Sequence, residues 1–303
     1  MGNLSISLAT VATEFLERPG LARSTLQSYE LTLMPLLQQH GSRPVETLNR
    51  PLLESYLNGL NHFAYTTHNR HQAILQSLFN FAVEQGYLAS NPIIRLKRRK
   101  PNQLKGEYGS DEVIRYLSSS QIEVLYSLLE RNSRLHTLVL LLHRTGARIS
   151  EALALNFDDL DLANCKFRVL GKGNKQRWCF YGQDLDQVLE QYLRLYRHPN
   201  CPALFTAQQP FTRKVTRLSY RAAHNDWVHL IGQDSALQGC RLHDLRHTFA
   251  TERVGLMGIE ELRALMGHTH IQTTLRYQKV TSSRAEEVAK RALEVLIKSK
   301  TAR

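Results

Sequence analysis

Strand-like sequence is confined to one stretch of this chain. Asp159 to Leu162, Lys166 to Leu170 and Gln176 to Tyr181 are short runs, and Gly171-Lys172-Gly173-Asn174 makes a strong hairpin turn between the last two. Elsewhere the apolar residues recur at helical spacing. Ser24 is followed by Leu26, Tyr29, Leu33 and Leu36, as after a capping residue. Pro51 suits a first helical turn ahead of Leu53, Tyr56 and Leu57. A helix opening near Thr66 or Thr67 carries Ile74, Leu75, Leu78, Phe79 and Ala82, and Gly86 with Asn91-Pro92 ends it. Further on, Ser118 to Ser120 cap a helix bearing Ile122, Leu125 and Leu128 or Leu129. Leu135 to His143 is apolar nearly all round, as in a buried helix; Gly146 interrupts it, and another helix opens near Ile149. After Asp184 the pattern is helical to the end. The expected fold class is mainly α with a small antiparallel β-sheet.

A chain of 303 residues is long enough for two domains. With 42% hydrophobic and 22% charged residues it can bury a sizeable core, which excludes wholesale disorder. The longest apolar run, Leu138 to Leu142, is far short of the roughly 20 residues that span a bilayer, so no membrane partner is expected. The N-terminus lacks a basic stretch before its weakly apolar residues, and Ile6 stands where a myristoylation motif wants Ser or Thr. Cys165, Cys179, Cys201 and Cys240 form no CxxC pair and read as reduced, structural thiols. These features point to a cytoplasmic protein.

The formal charge of +12 favours a polyanionic partner, because placing cations near phosphates releases condensed counterions. Arg95, Lys97, Arg98, Arg99, Lys100 and Lys105 crowd one short segment broken by Pro101 and Gly106. Like charges at that density resist burial, so an exposed linker is expected, either a solvated hinge or, the favoured reading, a strap along a phosphate backbone. The division read from the sequence is a helical domain over 1–95, a basic linker over 96–112, a second domain over 113–283 and a terminal helix over 284–303.

Four clusters carry chemistry: Thr145-Gly146-Ala147-Arg148-Ile149-Ser150-Glu151, the hairpin from Gly171 to Lys175, Leu242-His243-Asp244-Leu245-Arg246-His247, and Leu265-Met266-Gly267-His268 followed nine residues later by Tyr277. His243 and His247 stand four apart, as zinc ligands often do. Arg246 shares the helix face with His243, however, and a guanidinium repels a dication, so no metal is expected. Together the clusters describe a phosphodiester site. Two arginines clamp non-bridging oxygens, histidines add donors, a hairpin lysine follows a leaving group, and a tyrosine supplies an oxygen nucleophile. No carboxylate cluster offers to hold magnesium.

In this order the motifs resemble those of the tyrosine recombinases, the phage-integrase family, and within it the Xer-type site-specific recombinases. Arg148-Ile149-Ser150-Glu151-Ala152-Leu153 is similar to the family's first arginine motif, and Gly171-Lys172-Gly173-Asn174-Lys175 to its hairpin lysine. His243-Asp244-Leu245-Arg246-His247 is similar to its His-x-x-Arg motif, and Gly267-His268 with Thr273-Thr274 and Tyr277 to its nucleophile motif. The resemblance spans almost the whole chain, from Ser24 onward. Lys279 departs from it, since many relatives carry histidine two past the tyrosine. Of the two hairpin lysines, Lys172 aligns with the catalytic one; Lys175 would contact backbone or turn.

The resemblance implies a C-shaped, two-domain DNA clamp: a SAM-like helical core-binding domain plus an α+β catalytic domain. Tyr277 would attack the scissile phosphate in line, forming a 3′-phosphotyrosyl bond and freeing a 5′-hydroxyl. A phenol with a pKa near 10 must be deprotonated during attack, with His243 accepting or relaying the proton. Arg148, Arg246 and His268 would neutralise the growing charge, each donor contributing about 3 to 4 kcal/mol. Lys172 would protonate the leaving oxygen, and Glu151 and His247 would orient the others. The bond energy stays in the phosphotyrosine, so no cofactor is required. The implied partners are a double-stranded recombination site, further protomers in a homo- or hetero-tetramer on two duplexes passing through a Holliday junction, and accessory proteins. Ala285, Val288, Ala289, Ala292 and Leu296 form a stripe on a terminal helix expected to dock on the next protomer. Two other readings share most of these residues: type IB topoisomerase-like relaxation, and a catalytically silent DNA-binding accessory protein.

Overall fold

The computed structural model describes residues 5–107, 114–129, 133–171, 175–280 and 290. Lys172 and the terminal stripe from Ala285 to Leu296 lie outside the described residues. The chain divides into two compact units, Met1–Glu112 and Val113–Arg303. No helix among the described residues is long and apolar enough to cross a membrane.

The first unit is built on α1 (Leu8–Leu16), α2 (Arg23–His40), α3 (Arg50–Gly59) and α4 (Tyr65–Glu84). Ser7 caps α1 through the Thr10 N–H (3.1 Å), and Asn49 caps α3 through the Leu52 N–H (3.1 Å), with Pro51 in the first turn. Ser24 does not cap α2. That helix already includes Arg23 and opens after Ala22, whose side chain offers no acceptor. Leu8, Phe15, Leu33, Leu36, Leu53, Leu75 and Phe79 meet in one core with no solvent exposure.

The basic segment is attached to this unit through residue 107. Leu96 packs against the core, and its carbonyl accepts from Gln72 Nε2 (2.8 Å). The Asn69 side-chain amide exchanges two hydrogen bonds with the backbone of Arg99, both 2.9 Å. The Arg99 guanidinium forms a two-toothed ion pair with Glu107 (2.8 and 2.9 Å) and donates to the Phe63 carbonyl (2.8 Å). Glu107 also accepts from the Asn102 and Tyr65 N–H groups, and the Asn102 bond leads in holding its carboxyl below the usual range. Arg99 is therefore spent inside the protein, whereas Arg95, Lys97, Arg98, Lys100 and Lys105 are exposed.

The second unit contains α5 (Ser119–Leu129), α6 (Ser133–Thr145) and α7 (Ile149–Ala154), then strands β1 (Leu160–Asp161), β2 (Lys166–Leu170) and β3 (Gln176–Phe180). Next come α8 (Gln183–Leu195), β4 (Thr206–Gln208), β5 (Val215–Arg217), α9 (Tyr220–Ile231), α10 (Leu242–Arg253), α11 (Ile259–Met266) and α12 (Ile271–Leu275), which runs into a 3-10 turn, Arg276–Val280. β1, β2 and β3 pair antiparallel in that order, with Phe167 opposite Cys179 and Val169 opposite Arg177. Phe167, Val169 and Cys179 point into the core, as strand alternation requires. Leu135, Leu138, Val139, Leu141 and Leu142 of α6 are buried in the same core.

A second antiparallel pair, β4 with β5, corrects the expectation that only helices follow Asp184. Three residues in each strand are too few for alternation to be legible. The pair is tied to α7 instead: the Arg217 guanidinium donates to the Leu153 and Leu155 carbonyls (2.9 and 2.7 Å).

Candidate active site

Arg148 is the N-cap residue of α7, and its N–H donates to the Glu151 carboxylate (2.8 Å). The cap brings the two side chains together, and Arg148 Nη1 donates to Glu151 Oε1 (2.9 Å). A second cation, Arg177 of β3, grips both oxygens of the same carboxylate at 2.9 and 2.8 Å. Burial opposes ionisation of Glu151, but the bonds from Arg177 and Arg148 outweigh it and hold the carboxyl at about 2. Glu151 is nearly buried, while about a third of the Arg148 side chain faces solvent.

Arg246 projects from α10 and is 2% exposed. One nitrogen donates to the Gly146 carbonyl, another to the Met266 carbonyl and, at 3.0 Å, to His268 Nε2. A guanidinium only donates, so Nε2 accepts, and Nδ1 carries the ring proton toward Thr274 Oγ1 (2.9 Å). Burial, then Arg246 and Arg148, push His268 down to about 3, so the ring is neutral. His268 orients Arg246 here rather than adding a charge. Gly146 allows the approach: at φ +64 it turns the chain between α6 and α7, and a Cβ there would lie 2.4 Å from the Phe249 ring.

Tyr277 lies in the 3-10 turn after α12, with its ring in a small core of Phe249, Ala250, Leu262 and Met266. Its hydroxyl is 2.8 Å from His247 Nδ1, and its ring stacks parallel to His268 with centroids 6.4 Å apart. Burial raises the phenol's pKa against the pull of Arg246, Arg276 and Arg148. His247 is driven down to about 4, chiefly by burial and then by His243, so the ring is neutral. His243 stands edge-on to His247, 4.7 Å between ring centres. The direct partner of Tyr277 is thus His247, where the sequence expectation had His243 accepting or relaying the proton and His247 only orienting the other groups. Positions 243, 246 and 247 all border a cleft of about 210 Å³, which Arg148, His268 and Tyr277 also line. Successive helix residues are only about a third of a turn apart, so Arg246 and His247 both reach the cleft.

The expected residues that the structure brings together are therefore Arg148, Glu151, His243, Arg246, His247, His268 and Tyr277. Lys175 is exposed at the foot of the hairpin, where the Gly171 N–H donates to its carbonyl (2.7 Å). Arg177 was not anticipated. The signal for it is strand alternation, since it faces the same side as buried Cys179 and an inward cation requires a buried anion. Among the described residues, no three His, Cys, Asp or Glu side chains converge as a cation site.

Comparison with known proteins agrees with this geometry. The family model described as "Phage integrase family" matches residues 115–284. A curated relative, tyrosine recombinase XerC of Mycobacterium sp. (strain KMS), is 30% identical over 254 residues, covering 80% of this chain and 82% of the relative. Among solved structures, the Tn1549 transposon integrase in complex with a circular intermediate DNA superposes with a TM-score of 0.71 at 19% identity, covering 90% of this chain and 95% of that one. A lambda integrase tetramer bound to a Holliday junction gives 0.68 at 14% identity, covering 88% and 78%. At those identities the two structures speak to the fold, and the family match and the XerC relative speak to ancestry: the chain belongs to the phage integrase family.

Proposed function

We propose that this chain is a site-specific DNA recombinase of the Xer type, which cleaves and rejoins strands through a 3′-phosphotyrosyl intermediate. The observation that carries this reading is the Tyr277 hydroxyl, 2.8 Å from Nδ1 of His247 in the cleft that Arg148 and Arg246 line. Tyr277 Oη attacks phosphorus while its proton passes to His247 Nδ1. The bond from phosphorus to the 5′-oxygen breaks, and the departing oxygen takes a proton from Lys172, a role that rests on the motif resemblance. Arg148 and Arg246 hold the charge that builds on the non-bridging oxygens. A 5′-hydroxyl from another strand reverses the step. Two duplexes and four protomers make that exchange possible, as in the lambda integrase tetramer on a Holliday junction. Residues 284–303 link one protomer to the next. The reaction takes place in the cytoplasm and serves resolution or integration of DNA.

The test is incubation with a random-sequence pool of nicked suicide duplexes, followed by capture and sequencing of covalent adducts. The wild-type protein enriches one site and Tyr277→Phe captures nothing. His247→Phe cleaves that site about 100-fold more slowly or worse, as loss of a general base requires. Adducts at every sequence would support topoisomerase-like relaxation, and no adduct from the wild type would support an accessory protein. Undiminished capture by Tyr277→Phe would overturn the nucleophile.

A further inference from the structure

Arg148 must serve two anions: Glu151 in the protein and the phosphate in the cleft. Glu151 lies only 2.8 Å from the Arg148 N–H and 2.9 Å from its Nη1. A buried carboxylate with one cation at hand draws that cation into a two-toothed pair, because both oxygens need donors. Arg177 occupies that place instead. It meets Oε1 and Oε2 with its two terminal nitrogens and is the less exposed of the two arginines, at 12% against 35%. Its Nε is fixed by the Leu265 carbonyl (2.9 Å), so it cannot swing into the cleft to meet the phosphate itself. Its guanidinium fills the space beside Gly267, next to His268, and the hairpin root at Gly171 borders the same pair.

We propose that Arg177 is a positioning residue: by meeting both oxygens of Glu151 it limits Arg148 to a single bond with that carboxylate, through Nη1, and keeps the rest of its guanidinium turned to the scissile phosphate. Arg177 is not among the residues that line the cleft with Tyr277. Glu151 caps α7 and holds Arg148 in place, Arg177 satisfies Glu151, and the positive charge of Arg148 remains directed to the DNA. This inference rests on the recombinase reading above.

The experiment measures single-turnover cleavage of a suicide duplex carrying the site selected by the wild type, together with DNA half-saturation and thermal melting. In Arg177→Met, Glu151 captures Arg148, and cleavage falls about 30-fold while half-saturation shifts less than threefold. Adding Glu151→Gln removes the capturing charge, so Arg177→Met with Glu151→Gln cleaves faster than Arg177→Met alone. That recovery is a readout that a merely structural role would not produce. Arg177→Lys keeps the charge but offers one nitrogen in place of two, so its cleavage rate falls between those of wild type and Arg177→Met. The inference is overturned if the double variant is slower than the single one, if Arg177→Lys is as slow as Arg177→Met, or if Arg177→Met cleaves like wild type. Absence of cleavage by the wild type would instead defeat the recombinase reading.

Discussion

Tyr277 stacks on His268 and meets His247 at a tilt, all three beside two guanidiniums, and the neutral state of the two histidines has a measurable consequence. The folded protein holds His247 at about 4 and His268 at about 3, against an ordinary value of 6.5, with burial the largest cause in each. Below pH 6.5 the unfolded chain therefore takes up protons that the folded chain refuses. Stability is fully present above pH 6.5 and drains away as the pH falls, the His247 contribution ending near 4 and the His268 contribution near 3. The melting temperature should decline across that window. His268→Asn, which keeps polar atoms beside Arg246 and Thr274 but does not titrate, should decline less steeply. Equal slopes in wild type and variant would show that His268 does not resist protonation.

The element that aligns the two arginines is the turn between α6 and α7, and it makes a prediction of its own. Gly146 has positive φ, and its carbonyl accepts from Arg246 while its missing Cβ leaves room for Phe249. Gly146→Ala should cost about 2 kcal/mol or more in denaturant unfolding, since strain and a ring clash combine. Gly20→Ala, also at positive φ but with nothing within 4 Å, should cost less, and equal losses would show that Phe249 yields freely. Gly146 was legible as an interruption, as were the α6 stripe and the hairpin around residue 171, because periodicity and turn chemistry act over neighbouring residues. The partners of these elements were not legible. His247 reaches Tyr277 across thirty residues of sequence, and Arg177 reaches Glu151 across twenty-six. β4 and β5 are tied to the end of α7 by Arg217 of β5, a tertiary contact without local trace. The motif order identified the site's members; only the packed fold decided which histidine holds the phenol.

At the scale of the molecule, the excess of cations matters only where it faces outward. Among the described residues of the basic segment, Lys97, Arg98 and Lys100 are exposed, while Arg99 is closed on Glu107 with no net charge between them. DNA affinity should therefore respond differently to two sets of substitutions in one short stretch. Each phosphate contact contributes about 0.9 to the slope of log affinity against log salt. Replacing Lys97, Arg98 and Lys100 together by alanine removes three outward charges and should flatten the slope by about 2 to 3. Arg99→Ala combined with Glu107→Gln removes one charge of each sign from a sealed pair. It should leave the slope within about 0.5 of wild type while lowering the melting temperature, because the strap from Leu96 to Glu107 loses its clasp. Titrations of the selected site across a salt series decide the matter. A triple variant with an unchanged slope would place the segment away from the phosphates, and a strongly flattened slope in the Arg99 and Glu107 double variant would mean that the ion pair opens to meet DNA.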